Sequence, residues 1–429
     1  MNFRALIAAI LFVVCSGPAM AGDMKVIHAG QLLAVPGERV LENRSIVVDG
    51  QMIVEIRRGF VDPAEIAEDA ELIDLSEQFV MPGLMDMHVH LQSEMGPGRY
   101  RERLKQSDSD GLVRTIFFGM KTLMAGFTTV RDVGNSGEPM YAVRDGIENG
   151  LIDGPRIIAA GGVGITGGHA DVSGLKPEWM ELATDASICD GPYDCRRATR
   201  HMIKYGADLI KITSTGGVMT DNNTGTAQQM MEDELVAVVE AAAMMGRKVA
   251  SHAHGTEGIN AALRAGVASI EHGSYTDESS IELFLETGAY LVPTLLAGKT
   301  VADAAEFNDY LSDNVKKKAL RVGRDMQGNF ARAQAAGVKV AYGTDSGVSP
   351  HGDNAQEAVL MSEAGMSNEA ILVSATISAA DLLDMSDSIG TIEAGKYADI
   401  IATDGSALEN IEELLDVDFV MKSGKVFKE

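Results

Sequence analysis

The central part of the chain alternates short apolar runs with helical patterns. The runs that predict strands lie at 81–90, 127–134, 155–162, 207–215, 248–255, 267–274, 289–296 and 338–347. Stretches between them, such as 232–246 and 257–266, carry apolar residues at helical spacing, and several end in glycine just before the next strand. Eight strand–helix units in succession predict an α/β fold, the (β/α)8 TIM barrel, with a doubly wound open sheet as the alternative.

Both ends of the chain show a different rhythm, in which apolar and polar residues alternate and Gly or Asp interrupts the runs. Neither end is long enough to build a good sheet core alone. We therefore predict that residues 22–80 and 385–429 pair into one composite β-sandwich domain. Residues 81–384 would form the barrel beside it.

The first residues predict a secretory signal peptide of residues 1–21. Arg4 gives a positive start, residues 5–14 form a short apolar run, and Ala19-Met20-Ala21 fits a small-x-small cleavage site. The apolar run is too short to span a bilayer comfortably, and no other segment has the length or apolarity of a membrane span. The expected location of the mature protein is therefore secreted or periplasmic.

Composition narrows the class of partner. The chain has 429 residues, 45 % of them apolar, and a formal net charge of −26, so a large core and an acidic surface are expected. Such a surface repels nucleic acid, so nucleic acid is not an expected partner. The charge does not decide the oligomeric state, and a homo-oligomer remains an alternative to a monomer. Of the three cysteines, Cys189 and Cys195 would remain after signal cleavage. In an oxidising compartment they could form a disulfide, and two free thiols are the alternative.

Two histidines end the first predicted barrel strand, in MPGLMDMHVH (81–90). Side chains alternate faces along a strand, so His88 and His90 point the same way. In a barrel this direction is inward, at the carboxyl end of the strand, where active sites lie. Two imidazoles in one barrel mouth suit a divalent transition metal.

Other predicted strands carry a strongly polar residue near their carboxyl ends: Lys211, His252, His272 and Asp345. A lysine inside an apolar strand is costly unless it is paired, neutral or modified. Because buried charges need partners, the convergence of these side chains in one barrel mouth indicates one shared site.

At these motifs the chain resembles the amidohydrolase superfamily. PGLMDMHVH, LIKI, ASHAHG, SIEHGS and GTDSG are similar to the motifs of its barrel strands one, four, five, six and eight. Within the superfamily, the chain resembles the binuclear branch with a carboxylated lysine, in the group described as imidazolonepropionase-like or Xaa-Pro dipeptidase-like. TGGHAD (166–171), STGGVMT (214–220) and HGDNAQE (351–357) are also similar to that group.

The resemblance implies a site with two divalent ions, expected to be Zn2+. The implied ligands are His88, His90 and Asp345 for the more buried ion, and His252 and His272 for the more exposed one. Lys211 would bridge both ions as N6-carboxylysine, formed with carbon dioxide or bicarbonate. The ions would share a hydroxide that attacks a carbonyl, while Asp345 takes its proton and delivers it to the leaving amine.

Loop residues are expected to meet the substrate. By the same resemblance His169, in the loop after strand three, contacts the substrate or polarises its carbonyl, which makes it a second catalytic candidate. By spacing alone His252 or His254 could be the ligand, but the family pattern places the ligand first in HAH, which puts His254 beside the substrate. Further substrate-binding candidates are Gln229, Tyr275 and His351. Arg131 and Asp132, at the end of strand two, are expected to support the site by ion pairing.

The resulting hypothesis is a secreted metal-dependent amidohydrolase that cleaves the amide bond of dipeptides or N-acyl amino acids, with a small molecule as its partner. A hydrolase of lactones, cyclic amides or organophosphate esters is the first alternative, because the same hydroxide attacks all of these. A non-catalytic binding barrel is the second alternative, and the presence of every implied ligand argues against it.

Overall fold

The structure is a computed structural model, and it describes residues 24–98, 105–135, 137–172, 175–183, 185–220, 225–308 and 311–429. The predicted signal peptide, residues 1–21, lies outside these ranges and stays a prediction. Within the described ranges, no helix is both long enough and apolar enough to cross a membrane.

Two sheets contain all the strands of the described residues. In chain order the strands are β1 Met24–Leu32, β2 Leu41–Asp49, β3 Met52–Arg58, β4 Glu71–Pro82, β5 Leu84–Val89, β6 Phe127–Asp132, β7 Arg156–Ile165, β8 Ile188–Cys189, β9 Leu209–Thr213, β10 Val249–Ala253, β11 Ser269–His272, β12 Tyr290–Val292, β13 Ile400–Thr403, β14 Phe419–Lys422 and β15 Lys425–Lys428. Strands β5, β6, β7, β9, β10, β11 and β12 lie side by side in that order, all parallel, and β8 pairs with the end of β7. The first seven predicted barrel strands are therefore confirmed.

The eighth predicted strand, 338–347, closes the barrel through separate contacts instead of a regular strand. One isolated parallel bridge joins this segment to β12, and another, between Ser346 and Val89, joins it to β5. The amide of Asp345 donates to the carbonyl of His88 at 2.7 Å. These contacts confirm the barrel and exclude the open doubly wound sheet.

The predicted strand 289–296 is shorter than expected. Strand β12 covers only Tyr290–Val292, and Pro293, which follows, has no backbone N–H to donate to a neighbouring strand. Thr294 then has a φ of 51°, and a helix begins at Leu295. The chain therefore leaves the barrel early and places the Thr294 side chain at the rim.

Helices cover the outside of the barrel. They are α1 Asp108–Met124, α2 Glu138–Glu148, α3 Pro177–Ala183, α4 Gly191–Lys204, α5 Glu232–Ala243, α6 Thr256–Ala265, α7 Glu278–Thr287, α8 Leu295–Phe307, α9 Asp313–Ala335, α10 Gln356–Glu363, α11 Asn368–Ser374 and α12 Ile377–Leu382. The predicted helices at 232–246 and 257–266 are confirmed as α5 and α6. Gly266 ends α6 with a φ of 91°, the left-handed conformation that favours glycine at this position.

The small domain joins both ends of the chain in one seven-stranded sheet. Its strand order is β15-β14-β13-β4-β1-β2-β3, so β13 from the carboxyl end lies beside β4 from the amino end. Its neighbouring strands are antiparallel except β1 and β4, which are parallel. The composite β domain is therefore confirmed, as one continuous sheet. Its limits, 22–80 and 385–429, stay predictions, and β4 itself runs on to Pro82.

Alternating side chains let this sheet contribute to two cores. On β13, Ile400 and Ala402 belong to the core of the small domain, whereas Ile401 belongs to the core of the barrel. On β14, Phe419 likewise faces the small domain and Val420 faces the barrel. Because successive residues of a strand point to opposite faces, the two domains pack through one shared sheet.

Candidate active site

The barrel mouth gathers the side chains that end the parallel strands. His88 lies near the end of β5, Lys211 in β9 and His252 in β10, while His272 is the last residue of β11. Asp345 joins them from the closing segment, where its amide bonds to the carbonyl of His88. They meet because parallel barrel strands all end at the same rim.

Six histidines pack ring against ring at this rim: His88, His90, His169, His252, His254 and His272. Ring centroids lie 5.3 Å apart between His88 and His90, and 5.0 Å apart between His88 and His272. The His252 ring lies 4.6 Å from that of His272 and 4.3 Å from that of His169, which comes from the loop after β7. The rings thus form one contiguous group, called the histidine cluster below.

Lys211 lies within reach of the whole histidine cluster. Its side chain is only 7 % exposed, and its positive charge opposes protonation of every ring in the cluster. Burial lowers the pKa of Lys211 itself to about 8, although the carboxylates of Glu271 and Asp345 act in the opposite direction. A large fraction of this amine is therefore neutral near pH 8, and a neutral amine can react as a nucleophile.

Asp345 faces two imidazoles. Its Oδ1 lies 3.0 Å from His90 Nε2 and 3.5 Å from His88 Nε2. Burial alone would raise the pKa of Asp345, but His88 and His90 together hold it below its ordinary value. The backbone is left-handed at Asp345, with a φ of 59°, and at His272, with a φ of 74°. Such strain persists only where the surrounding structure enforces it, and it clusters at functional sites.

A buried ion pair stands behind His88. Glu271 Oε2 accepts a hydrogen bond of 2.8 Å from His88 Nδ1, and Glu271 Oε1 accepts one of 2.8 Å from Arg131 Nη2. Burial would raise the pKa of Glu271, but Arg131 and His88 hold it at about 2. Arg131, which is 2 % exposed, thus supports the site by ion pairing, as expected. Glu271 is absent from the predicted set, although a charged residue within the apolar strand SIEH was a signal for it.

Asp132 supports the rim through hydrogen bonds. Its carboxylate accepts from the amides of Leu91 at 2.7 Å and Gly134 at 3.2 Å, and from the side chain of Asn135 at 3.0 Å. These bonds fix the segments on both sides of His90, whose Nδ1 donates to the carbonyl of Gly134 at 3.0 Å. A Cβ on Gly134 would lie 2.4 Å from the His90 ring, so the close approach requires glycine.

Hydroxyl groups hold two further imidazoles of the cluster. His272 Nδ1 and Thr294 Oγ1 share a hydrogen bond of 2.7 Å, and so do His254 Nδ1 and Ser274 Oγ. Both bonds use Nδ1, which leaves the Nε2 atoms of the two rings for other partners. Thr294 and Ser274 are absent from the predicted set, because a single hydroxyl residue near a strand end forms no recognisable pattern.

The histidine cluster fits divalent metal ions. His272 Nε2 and His252 Nδ1 lie 2.9 Å apart, and burial lowers the pKa of both rings well below the ordinary value, so neutral rings can offer lone pairs. Within the described ranges, His252 Nε2 and Asp345 Oδ1 are buried without a partner in hydrogen-bond geometry. In the part of the chain that the structure describes, two groups hold ligand atoms within 4.8 Å of one another: His252, His254 and His272, and His88, His272 and Asp345. Imidazole nitrogen and carboxylate oxygen are donors that zinc and related metals take in proteins.

Residues 79–427 match the profile of the Amidohydrolase family. The chain belongs to this family. The crystal structure of a Xaa-Pro dipeptidase with methionine bound in its active site is similar, with a TM-score of 0.90 at 40 % identity, over 95 % of this chain and 100 % of that one. A prolidase complexed with N-methylphosphonate-L-proline has a TM-score of 0.85 at 31 % identity, with the same shares of 95 % and 100 %. Ochratoxinase of Aspergillus niger is 29 % identical over 427 residues, 94 % of this chain and 86 % of its own length.

Family membership confirms the resemblance found in the motifs, and the chain is a hydrolase. The alternative of a non-catalytic binding barrel is thereby excluded. The metal dependence of the family agrees with the donor atoms gathered in the histidine cluster. The number and identity of the ions in this amidohydrolase belong to the proposal below.

His169 contacts the rest of the histidine cluster from one side of the mouth of this amidohydrolase. Its amide donates to Gln229 Oε1 at 2.8 Å, and its Nδ1 is hydrogen-bonded to Thr220 Oγ1. Gly217 lies against the imidazole, and a Cβ at that position would come within 2.1 Å of it. Gln229 therefore holds the backbone of His169, while the predicted contact of Gln229 with substrate stays a prediction.

Tyr275 and His351 contact partners outside the cluster. The Tyr275 ring lies under Arg321, whose guanidinium carbon is 5.3 Å from the ring centroid. His351 Nε2 donates to the carbonyl of Ser93 at 3.0 Å, and its ring stacks on Phe118 with centroids 4.4 Å apart. Among the ring contacts of the described residues, neither ring touches the histidine cluster. The predicted contact of Tyr275 and His351 with substrate stays a prediction.

Cys189 and Cys195 form a disulfide in this amidohydrolase. The bond joins β8 to the first turns of α4, and it flanks Asp190, whose carboxylate accepts a hydrogen bond of 2.7 Å from Thr166 Oγ1. The bridge therefore lies beside the loop that carries His169. Of the two alternatives for the cysteines, the structure has the disulfide.

We expect Glu271→Gln to destabilise the protein strongly, because it leaves Arg131 buried without its carboxylate partner. Breaking a buried pair in this way costs about 3–5 kcal/mol. The matched control is Asp153→Asn, which breaks the exposed pair with Lys425 at 2.7 Å and should cost less than about 1 kcal/mol. Urea unfolding followed by circular dichroism measures both losses, and equal losses would contradict the role given to the buried pair.

The protein should lose stability on acidification between about pH 6.5 and pH 4, because the pKa of His351 is lowered in the folded state. Burial is the main cause that lowers the pKa of His351 to about 4 from an ordinary value of 6.5. Between these two values the unfolded chain binds a proton that the folded protein does not, so stability falls as the pH falls through this window. In His351→Gln the thermal midpoint should fall less steeply from pH 6.5 to pH 4 than in the wild type. Parallel slopes would show that His351 has an ordinary pKa.

Proposed function

We propose that this amidohydrolase is a metal-dependent dipeptidase that cleaves the amide bond of dipeptides or N-acyl amino acids. The observation that carries the proposal is the convergence of the predicted ligands in one barrel mouth: His88, His90, Lys211, His252, His272 and Asp345. The similarity to a Xaa-Pro dipeptidase and to a prolidase, each over 95 % of this chain, supports the substrate class.

Two divalent ions, expected to be zinc, would be held by this set. One ion would take His88, His90 and Asp345, and the other His252 and His272. Lys211, as its carbamate, would contact both. When bound, the ions supply a Lewis acid and water of lowered pKa.

The surroundings of Lys211 favour its modification by carbon dioxide. The neutral amine adds to carbon dioxide, so that a nitrogen–carbon bond forms, one proton leaves and an anionic carbamate results. Burial, which lowers the pKa of Lys211 to about 8, supplies the neutral amine that this addition needs. A carbamate also suits the site better than an ammonium would, because its charge is opposite to that of the ions to be bound.

Asp345 and His169 are the groups of this chain that would act on the substrate. Asp345 is kept as a carboxylate by His88 and His90, so it can accept a proton from the attacking water and pass it to the leaving amine. In the tautomer in which Nδ1 of His169 accepts a hydrogen bond from the Thr220 hydroxyl, Nε2 carries the proton and would donate to the carbonyl oxygen as negative charge develops there.

Metal-dependent peptide hydrolysis is the test of this function. Protein stripped with a chelator should be inactive on a panel of L-dipeptides and N-acyl amino acids, and zinc with bicarbonate should restore turnover, with about two ions per chain by mass spectrometry. Lys211→Ala should lose bound metal and activity, and acetate, which offers a carboxylate to the vacated space, should restore part of both. The matched control is Lys317→Met, on an exposed position of α9.

Two outcomes would count against this function. Loaded protein that hydrolyses lactones or esters but none of the peptides would replace it with the alternative bond class. Lys211→Ala protein that keeps its metal and its activity would contradict the bridging role of the lysine.

We also propose that the protein is exported. The signal-peptide pattern of residues 1–21 motivates this, and the disulfide between Cys189 and Cys195 supports it, because disulfides persist in oxidising compartments. After expression of the full-length chain in a bacterial host, the mass of the periplasmic protein should correspond to a chain that begins at Gly22. Full-length protein confined to the cytoplasm would contradict export.

A further inference from the structure

A lysine from one side of the barrel mouth holds a turn on the other side. Lys318 lies on α9, which comes after β12, whereas the turn 217–220 follows β9. The Lys318 ammonium donates from Nζ to the carbonyl of Gly217 at 3.0 Å and to the carbonyl of Thr220. Because β10 and β11 lie between β9 and β12 in the sheet, these bonds reach across the rim.

The same turn determines the position of His169. Thr220 Oγ1 bonds to His169 Nδ1, and Gly217 packs so closely against the imidazole that a Cβ would come within 2.1 Å of it. On the backbone side, Gln229 Oε1 accepts from the His169 amide at 2.8 Å, and the Gln229 amide donates to the carbonyl of Ser214 at 2.8 Å. These hydrogen bonds to His169 therefore come from the segment after β9 and not from its own loop.

We propose that Lys318 is a positioning residue for His169. The inference rests on the proposed function, in which His169 meets the carbonyl of the bond to be cleaved. Two carbonyl groups of one turn converge on a single ammonium, and hydrogen bonds from a charged donor are stronger than those between neutral groups. Lys318 fixes the turn, the turn fixes the Thr220 hydroxyl, and the hydroxyl sets the rotation of the imidazole.

Direct attraction of the substrate carboxylate is the competing role for Lys318. After burial, the charge of Lys318 is among the causes that lower the pKa of His169 and of His254, so its field reaches the mouth. The two roles affect different kinetic constants. Loss of positioning removes an interaction made in the transition state and lowers kcat, whereas loss of attraction to the bound substrate raises KM.

Steady-state kinetics of the zinc-loaded protein on its best dipeptide separates these roles. Lys318→Met should lower kcat about 10- to 100-fold, the range typical of residues that orient an active-site group, and leave KM within about twofold. Lys318→Arg keeps the charge and the donors and should recover most of kcat. Lys317→Met, the exposed neighbour on α9, should match the wild type. A raised KM with unchanged kcat would overturn the positioning role.

A double-mutant cycle tests whether Lys318 acts through His169. If it does, adding Lys318→Met to His169→Asn should cause no further loss of kcat, and two losses that multiply would overturn the proposal. Thr220→Val, which removes the hydroxyl, should reproduce Lys318→Met. Thr220→Ser, which keeps the hydroxyl, should recover most of the kcat that Thr220→Val loses, and a loss equal to that of Thr220→Val would contradict the path through the hydroxyl.

Nuclear magnetic resonance gives a readout that needs no substrate. The ring nitrogen signals of His169 in histidine-labelled protein, assigned with His169→Asn, should shift in Lys318→Met and stay in place in Lys317→Met. Unchanged signals in Lys318→Met would overturn the proposal. Absence of peptide turnover in the wild type would instead defeat the proposed function, and the spectra would still decide the role of Lys318.

Discussion

The hydrogen bond from the amide of Asp345 to the carbonyl of His88 joins the last segment of the barrel to the first strand. The position of Asp345 in the site depends on this closure, because it brings a carboxylate from one end of the barrel sequence against imidazoles from the other. The left-handed backbone at Asp345 is the local cost of that contact, and the closed barrel around it enforces the conformation.

Desolvation is the second constraint, and the site meets it in two ways, by ion pairing and by a shift of pKa. Arg131 could not stay buried alone, but Glu271 neutralises it and at the same time turns the His88 ring through Nδ1. No carboxylate of the described residues forms an ion pair with Lys211, and burial lowers its pKa to about 8 instead. Burial lowers the pKa of five imidazoles of the histidine cluster, whereas Asp345 raises that of His90. A barrel mouth with mostly neutral imidazoles, the Asp345 carboxylate and a partly neutral amine is arranged to receive cations rather than to bind anions.

The sequence allowed the strands and their polar ends to be predicted, because both follow from short-range periodicity. His88, Lys211, His252 and His272 each follow an apolar run, and a parallel barrel leaves such positions no other place than its rim. Glu271 is in the same strand as His272, yet its importance comes from Arg131, a partner 140 positions away in the sequence. Such long-range pairs produce no periodic pattern in the sequence, so periodicity cannot predict them.

The directions of loop side chains were the least predictable feature, because they too depend on contacts with residues far away in the sequence. Tyr275 and His351 come from motifs after strand ends, where no alternation of faces fixes a direction, and both side chains pack against helices. Thr294 acquires its contact with His272 only because β12 stops at Val292, before a proline. Turn geometry of this kind depends on the packing of the whole barrel, so the sequence of one segment does not predict it.

The interleaved order of the small sheet has a consequence for biosynthesis. Strand β4 precedes every barrel strand in the chain and its neighbour β13 follows them all, so the edge of β4 that pairs with β13 stays unpaired while the barrel is being synthesised. An unpaired edge is a template for wrong association with other chains. The barrel strands follow one another in sequence and can assemble beforehand, so the small sheet can be completed only once β13 has been synthesised after them.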